Sequence, residues 1–265
     1  MVDDGATFVS PYEGSRLRVT PEDAIRNQAR LGADILMCLD QPVAWGAGSA
    51  EAAAATERTG RWAERCRDAH PGQGRLLFGI AQGGFDVALR RESAHHLTSL
   101  RFDGYAVGGL SVGEPIAVME EMAAASTAEL SPDAPRYFMG LGTDSELLCM
   151  IGLGIDMFDC VVPTRLARNG TALTPAGHLS LRNAAYRDDL RPLDDGCACA
   201  ACERFTRAYL RHLVMSGEML AHRLLSAHNL THISRLMDDA RSAIRAHRFE
   251  QMRAGVDGRL AAGAG

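Results

Sequence analysis

The sequence lacks the features of membrane, secreted and strongly basic proteins. No stretch of its 265 residues approaches the roughly 18 consecutive apolar residues of a membrane-spanning helix. No charged-then-apolar leader follows Met1. Positive charge is not in excess either, since the formal net charge is −5, so a nucleic acid would have to bind at a local basic patch. We expect a globular protein, because 46% hydrophobic residues suffice for one large core. The missing leader and the expectation of reduced cysteines point to the cytoplasm.

Short apolar segments alternate along the chain with longer amphipathic ones. The apolar segments are almost continuously hydrophobic, which is typical of parallel strands covered on both faces. The predicted strands are 33–40, 76–82, 104–109, 137–140 and 155–162. The predicted helices between them are 21–31, with Thr20 as N-cap, 50–70, 86–100, 115–128 and 144–153.

Repeated strand-then-helix units with polar strand ends predict an α/β fold of the (β/α)8 TIM-barrel type. A doubly wound open sheet is the structural competitor, but no glycine-rich dinucleotide fingerprint opens any of the predicted helices. Because only five strands are evident, we expect a barrel that is incomplete at its N-terminus. The predicted domains are a partial barrel over 1–190, a cysteine-containing subdomain over 191–232, a C-terminal helix completing the barrel over 233–256 and a flexible tail over 257–265.

Polar residues and glycines lie at the ends of the predicted strands, and a barrel brings these ends to one rim. They are Asp40, Gln82 with Gly83-Gly84, Gly108-Gly109, Gly140 to Thr143, and Asp159. Carboxylates and an amide can together read a heterocycle that carries donors and acceptors, and glycines let a flat ligand approach the backbone. Taken singly, Asp40 can be a helix cap and Gly108-Gly109 a turn. The recurrence at successive strand ends favours a binding site.

Asp159 ends a buried segment and precedes a stretch containing Arg165 and Arg168. A carboxylate in that position can act as a covalent nucleophile at a glycosidic carbon. The two arginines are expected in an exposed loop with Pro163, Asn169 and Gly170, available to phosphates or bases. The alternative is that they are ordinary solvated charges.

Three of the seven cysteines lie close together, at Cys197, Cys199 and Cys202. This spacing, followed by a histidine, is typical of a closed, structural zinc site. The predicted subdomain over 191–232 is therefore a zinc-binding subdomain. A chance cluster of small core residues is the alternative, whereas a disulfide cannot use all three thiols.

The fourth ligand has several candidates, since His212, His222, His228 and His232 all follow the cysteines. A single amphipathic helix is expected over 203–220, with His212 in its middle. The apolar pattern breaks at His228, so the chain can turn back to the cysteines there. We favour His228.

Several motifs recur in order between about Phe8 and Arg245. They are Phe78-Gly-Ile-Ala-Gln82-Gly-Gly84, Gly108-Gly-Leu-Ser-Val-Gly-Glu114-Pro, Tyr137-Phe-Met139-Gly, Asp156-Met-Phe-Asp159-Cys, Pro163-Thr-Arg165 with Arg168-Asn-Gly170, Asn183-Ala-Ala-Tyr-Arg-Asp-Asp189, and the cysteine cluster with His228-Asn-Leu. In sequence and spacing these motifs resemble those of the tRNA-guanine transglycosylases. The resemblance also implies His228 as the fourth zinc ligand.

The resemblance implies a pentosyltransferase that exchanges guanine at position 34 of a tRNA with a GUN anticodon for the 7-deazaguanine preQ1, on the way to queuosine. Asp159 matches the nucleophile that attacks ribose C1′, and Asp40 the carboxylate that accepts the N–H groups of the base. Gln82 and the Gly109 amide match donors to the carbonyl oxygen of the base, and Met139 the side chain against its ring. Leu110 and Glu114 match the residues that receive the aminomethyl group of preQ1.

The resemblance further implies RNA contacts, one structural Zn²⁺ and a homodimer. The anticodon-loop contacts match two segments: Gly140, Leu141, Gly142, Thr143, Asp144, Ser145 and Glu146, then Thr164, Arg165, Leu166, Ala167 and Arg168.

The sequence also departs from the family pattern. The usual Asp-Glu-Cys reads Asp40-Gln41-Pro42. Phe8 to Arg16 corresponds to a segment that normally follows the first barrel strands, so the Asp-Ser-Gly-Gly-Phe motif with its general acid/base is expected upstream. We therefore expect that Met1 is not the natural start, or that the chain is weakened. The alternative function is a non-catalytic tRNA-binding remnant or partner subunit.

Overall fold

The computed structural model describes residues 1–72 and 74–263, with residues 260–263 by backbone alone. Contacts divide the chain into two compact units. The strand unit comprises Met1–Gly140 and Leu153–Asp159, and the helical unit comprises Leu141–Gly152 and Cys160–Gly265 as far as it is described. No described helix is both long and apolar enough to cross a membrane.

The strand unit contains a five-stranded parallel sheet. Its strands are β3 (Ile35–Met37), β4 (Leu76–Ala81), β5 (Gly104–Val107), β6 (Arg136–Phe138) and β7 (Met157–Phe158), and they lie in that order. An antiparallel hairpin, β1 (Ala6–Val9) and β2 (Arg16–Val19), precedes them. Each strand pairs with the next in sequence, as in a (β/α) barrel, whereas a doubly wound sheet reverses its order at a switch point. The sheet confirms the predicted fold class, and its five strands form part of such a barrel.

Helices connect these strands at almost the predicted bounds: α1 (Pro21–Leu31), α2 (Ser49–Asp68), α3 (Val87–Leu100) and α4 (Ile116–Thr127). Thr20 starts α1 through a capping box, since its hydroxyl accepts from the Asp23 N–H at 3.2 Å while the Asp23 carboxylate accepts from the Thr20 N–H. Asp86 caps α3 in a similar way, by accepting from two backbone N–H groups. The caps explain why these starts were predictable.

A side chain covers the outer edge of β3. The Gln28 amide donates to the Met37 carbonyl and accepts from the Met37 N–H, both at 2.8 Å. Both backbone groups of an edge residue are thereby satisfied, as a neighbouring strand would satisfy them.

The helical unit begins with α5 (Asp144–Gly152), α6 (Val162–Arg168) and a hairpin of β8 (Thr171–Thr174) and β9 (Gly177–Ser180). A 3₁₀ turn (Ala184–Tyr186) follows, then α7 (Ala200–Arg204), α8 (Arg207–Met215), α9 (Met219–Arg245) and α10 (Phe249–Gly263). Asn229 of α9 is fully buried and ties three parts together. Its oxygen accepts from the Leu173 N–H, and its nitrogen donates to the carbonyls of Pro163 and Thr171.

The single helix predicted over 203–220 is wrong. The Thr206 hydroxyl accepts from the Tyr209 N–H and so starts a new helix, α8. That helix ends before Gly217, whose φ of 71° is left-handed. His228 then lies inside α9, not at a break in the pattern.

Two further expectations differ from the structure. Arg165 and Arg168 lie on α6, not in a loop. Residues 257–263 of the predicted tail are helical, and the Ser145 hydroxyl donates to the Asp257 carboxylate at 2.7 Å, which ties α10 to α5. Residues 264–265 of that tail lie outside the described residues. The predicted domain boundaries at 190 and 232 stay predictions.

Candidate functional site

Asp40 and Gln82 meet at the carboxyl ends of β3 and β4. The Gln82 side-chain nitrogen donates to Asp40 Oδ2 at 2.6 Å. Gln82 is 1% exposed, and its backbone N–H donates to the Ser93 hydroxyl at 3.0 Å. Its buried Oε1 has no hydrogen-bond partner among the described residues. Since buried polar atoms are normally paired, this oxygen marks a place suited to a ligand.

Burial raises the pKa of Asp40 above its ordinary value, and the hydrogen bond from Gln82 offsets part of this effect. A half-buried carboxylate gains from a ligand that brings N–H donors, because such donors replace the lost water. The departure Asp40-Gln41-Pro42 does not displace this carboxylate from Gln82. Gln41 is anchored to α2 instead, since its N–H donates to the Thr59 hydroxyl and its side chain accepts from Arg58.

Gly108 and Gly109 follow β5 and lie against the same pair. A Cβ atom on Gly108 would lie 2.7 Å from the Gln82 side-chain nitrogen, and one on Gly109 would lie 2.4 Å from its oxygen. Gly109 also has a left-handed φ of 66°. Only glycine allows the backbone to approach Gln82 and Asp40 this closely.

Arg90 is the residue of this site that the sequence reasoning missed. It is completely buried in the first turns of α3. Its guanidinium donates to the carbonyls of Gly84 at 2.8 Å and Gly108 at 2.7 Å. A weaker contact reaches the carbonyl of Gly109 at 3.4 Å. Burial lowers the pKa of Arg90 to about 10, so the group still carries its charge at neutral pH. The one feature of the sequence that could have indicated Arg90 is its position, four residues after the N-cap Asp86.

The predicted residues around the base pocket differ in exposure. Leu110 is buried, while Met139 and Glu114 are half-buried. The Glu114 carboxylate accepts from the N–H groups of Ser111 at 2.5 Å and Val112 at 2.9 Å. It therefore holds a turn in which Ser111 has a φ of 60°.

Asp159 ends β7 and is exposed. Its Oδ1 accepts from the Tyr137 hydroxyl at 2.6 Å and from the Gly140 N–H at 2.9 Å. Burial, with the contribution of the Asp159 charge, raises the pKa of Tyr137, which stays a protonated donor. The sequence named Tyr137 only as part of a motif. The parallel pairing of Tyr137 with Met157 explains the contact, because it brings the end of β6 beside the end of β7.

The structure therefore places the predicted catalytic and base-binding residues at one edge of one sheet. It joins Asp40 with Gln82 and Gly109 on one side, and Asp159 with Tyr137 and Gly140 on the other. Their roles stay predictions.

The first predicted RNA segment is partly inaccessible. Leu141, Gly142 and Asp144 are buried in the helical unit, while Thr143, Ser145 and Glu146 are half-buried. Asp144 Oδ2 lies 2.7 Å from His232 Nε2, and both side chains are about nine-tenths buried. The Asp144 side chain is thus committed to α9, not to solvent.

The second predicted RNA segment presents two arginines on α6. Arg165 and Arg168 are exposed, whereas Ala167 is fully buried. Thr164 and Leu166 are half-buried, and the Thr164 hydroxyl donates to the Val161 carbonyl. Residues three apart on a helix lie on the same face, so the two guanidinium groups form one small basic patch.

Cys197, Cys199, Cys202 and His228 form a compact group in which all ligand atoms lie within 4.8 Å of one another. His228 Nδ1 lies 3.7, 3.4 and 3.3 Å from the three sulfurs in that order. A tetrahedral zinc ion with usual bond lengths separates a sulfur from a nitrogen ligand by about 3.6 Å. Cys197, Cys199 and Cys202 are free thiols. The group has the composition and the spacing to hold a metal ion.

The surroundings of His228 also favour metal binding. Its Nε2 lies 2.8 Å from the Leu173 carbonyl and donates to it, which leaves the lone pair of Nδ1 facing the sulfurs. Burial lowers the pKa of His228, so the ring is neutral as a ligand must be. Among the other candidates, His212 is exposed and His232 is paired with Asp144.

Comparisons with known proteins identify the family of this chain. The family model described as Queuine tRNA-ribosyltransferase matches residues 1–259. A protein named queuine tRNA-ribosyltransferase from Solidesulfovibrio magneticus is 48% identical over 259 residues, which cover 97% of this chain and 69% of that protein. One of the same name from Nostoc sp. is 47% identical over 249 residues, covering 94% and 67%. One from Thermus thermophilus is 48% identical over 249 residues, covering 93% and 64%. The chain therefore belongs to the queuine tRNA-ribosyltransferase family, as the motifs indicated.

Proposed function

We propose that this protein exchanges guanine at the wobble position 34 of tRNA for a 7-deazaguanine, preQ1, through a covalent intermediate on Asp159. The observation that carries the proposal is the pair of arrangements at one sheet edge. A fixed carboxylate stands there with Tyr137 and Gly140, and a carboxylate–amide pair, Asp40 and Gln82, stands at the same edge. The family membership supports the same reaction.

Asp159 is the proposed nucleophile. Both of its hydrogen bonds reach Oδ1, so they orient the carboxylate while Oδ2 attacks ribose C1′. A bond forms between Oδ2 and C1′ as the glycosidic bond breaks. Guanine leaves with the bonding electron pair and takes up a proton from water. The incoming base, having lost a proton to water, then attacks C1′, forms the new glycosidic bond and releases the carboxylate.

Asp40, Gln82 and Gly109 are proposed to read the base. Ionised Asp40 accepts the N1–H and the exocyclic amino hydrogens. The Gln82 amide nitrogen and the Gly109 N–H donate to the carbonyl oxygen. Met139 covers one ring face, and Leu110 with Glu114 receives the aminomethyl group of preQ1. Asp40 must be ionised to bind the base, and its pKa is raised. Base binding should therefore weaken as the pH falls through the pKa of Asp40, because the carboxylate becomes protonated.

The helical unit is proposed to contact a tRNA that has a GUN anticodon. Arg165 and Arg168 supply exposed donors for phosphates or bases, with Thr164 beside them and residues 140–146 as a second contact. A single structural Zn²⁺ bound by the three cysteines and His228 would brace α7 against α9. We further propose a homodimer that acts in the cytoplasm.

The test is base exchange by the chain as it stands. Transcribed tRNA with a GUN anticodon and labelled guanine are incubated with the wild type and with Asp159→Asn, and label in tRNA is counted. The proposal expects incorporation by the wild type and none by the variant. A tRNA with adenine at position 34 is the substrate control. Binding of tRNA without incorporation would instead support the non-catalytic alternative, and equal incorporation by both proteins would refute the role of Asp159.

A further inference from the structure

We propose that Arg90 is a positioning residue that aims and polarises the Gly109 N–H toward the base, an inference that rests on the proposed function. A guanidinium buried without solvent is unusual, because charged groups are rarely buried unless paired. Arg90 has 0% exposure, and its side-chain hydrogen bonds all go to backbone carbonyls.

Those carbonyls belong to the two glycine loops that border the base pocket. Arg90 Nε donates to Gly84, and Nη1 donates to Gly108 with a longer contact to Ala81 at 3.4 Å. The first loop follows β4 and carries Gln82, while the second follows β5 and carries Gly109. One planar guanidinium therefore fixes the separation of the two groups that are proposed to donate to the base.

The hydrogen bond to Gly108 also sets the direction of the Gly109 N–H. The Gly108 carbonyl and the Gly109 N–H belong to one trans peptide, so they point in opposite directions. With the carbonyl turned to Arg90 at 2.7 Å, the N–H points away from Arg90. A Cβ on Gly108 would lie 3.4 Å from Asp40 Oδ2, so this peptide borders the pocket.

The charge of Arg90 adds to the geometry. A hydrogen bond from a cation to a carbonyl polarises the whole peptide, which makes its N–H a stronger donor. The Gly109 N–H thereby transmits part of the Arg90 charge to the carbonyl oxygen of the base. No carboxylate accepts a hydrogen bond from Arg90 in the described structure, and the charge of Glu114 acts on it only through space. The hydrogen bonds of the guanidinium group therefore all go to the carbonyls.

The test compares Arg90→Met and Arg90→Lys with Arg136→Met. Arg136 is a matched control, since its guanidinium also donates to two carbonyls, those of Leu130 and Ser131, but at the amino end of its strand. In steady-state exchange, Arg90→Met is expected to raise KM for guanine about tenfold or more, with KM for tRNA unchanged. Arg90→Lys should recover part of the loss, because it keeps the charge but not the fork. Arg136→Met should lower only Tm.

The proposal is overturned if Arg90→Met lowers Tm but leaves KM for guanine unchanged. It is also overturned if Arg136→Met raises KM for guanine as much as Arg90→Met does. A second readout is independent of catalysis: the ¹⁵N–¹H resonance of Gly109 in the ligand-free protein. Arg90→Lys is expected to shift the Gly109 resonance more than the resonance of any glycine outside the two loops. An unchanged Gly109 resonance contradicts the inference. If the wild type exchanges no base, the proposed function fails while this resonance still decides the role of Arg90. If Arg90→Met does not fold, Arg90→Lys decides both readouts.

Discussion

Single side chains at the carboxyl ends of strands in one sheet define the chemistry proposed for this protein. Asp40 and Asp159 are both carboxylates, yet their surroundings differ. Asp40 is half-buried and shares a hydrogen bond with Gln82, and burial raises its pKa. Asp159 is exposed and fixed by two donors. The first arrangement suits recognition of N–H groups, and the second suits attack by a free oxygen.

The raised pKa of Asp40 predicts a trade between stability and binding. A carboxyl group with a folded pKa above 3.8 favours folding below that value, and this contribution is lost as the pH rises through the folded pKa. Asp40→Asn should therefore raise the free energy of unfolding at pH 7 while weakening guanine binding about tenfold or more. Urea unfolding and equilibrium dialysis measure the two effects. Lower stability together with undiminished binding would contradict this role.

Tyr137→Phe removes one of the two donors to Asp159. We expect kcat to fall about tenfold, because the carboxylate loses one orienting bond, while KM for guanine stays the same. Tyr105→Phe is the control, since Tyr105 is a buried tyrosine on the adjacent strand β5. An unchanged kcat in Tyr137→Phe, or an equal loss in the control, would show that this hydroxyl does not position the nucleophile.

At the scale of elements, the sequence predicted best where a local signal and the fold agree. The starts of α1 and α3 carry Thr20 and Asp86 as caps, and the central strands carry continuous apolar runs. The region after the cysteines was misread, because the apolar stripe continues across Thr206 and Gly217, where the chain breaks its helix. His228 and Asn229 are polar residues inside α9. They interrupt the apolar periodicity, which by itself therefore predicts a helix end at their position.

Buried polar contacts between distant segments were beyond the reach of sequence patterns. Arg90 meets carbonyls at residues 84 and 108, and His232 meets Asp144 across 88 positions. Each of these residues has an ordinary local context. Only the folded backbone brings the partners together.

The metal group predicts a specific dependence on His228. The protein should contain about one equivalent of zinc, and His228→Ala should lose it, with unfolding of α7 and its neighbours. His222→Ala is the matched control on the same helix α9 and should keep the metal. Metal analysis and far-ultraviolet circular dichroism measure both. Full zinc content in His228→Ala would refute the assignment of this ligand.

The patch on α6 predicts a loss of salt-dependent RNA binding. Arg165→Ala with Arg168→Ala should weaken tRNA binding and reduce the slope of log K against log salt by about two. Arg223→Ala is the control, since Arg223 is also exposed in the helical unit. Binding titrations at several salt concentrations give the slopes. The same slope in the double variant and the wild type would exclude this patch as the contact.

At the scale of the whole molecule, the charge is compatible with a local contact to RNA. The net charge is −5, and the chain contains no lysine, so all 28 basic side chains other than histidine are arginines. Every positive group is thus a planar fork that can bind a phosphate through two hydrogen bonds. Composition alone could indicate neither the family of the chain nor its group of three cysteines and one histidine.

The central claim is that Asp159 bonds to the ribose of nucleotide 34. The most direct measurement is denaturing electrophoresis of the protein incubated with labelled GUN-anticodon tRNA, followed by peptide mapping of any slowly migrating band. We predict a covalent adduct between the labelled tRNA and Asp159. Adding excess guanine should release the labelled tRNA from this adduct. Asp156→Asn, which changes the carboxylate at the other end of the same motif, should still form it, and Asp159→Asn should not. An adduct mapped to another residue, or formed equally by Asp159→Asn, would contradict the claim.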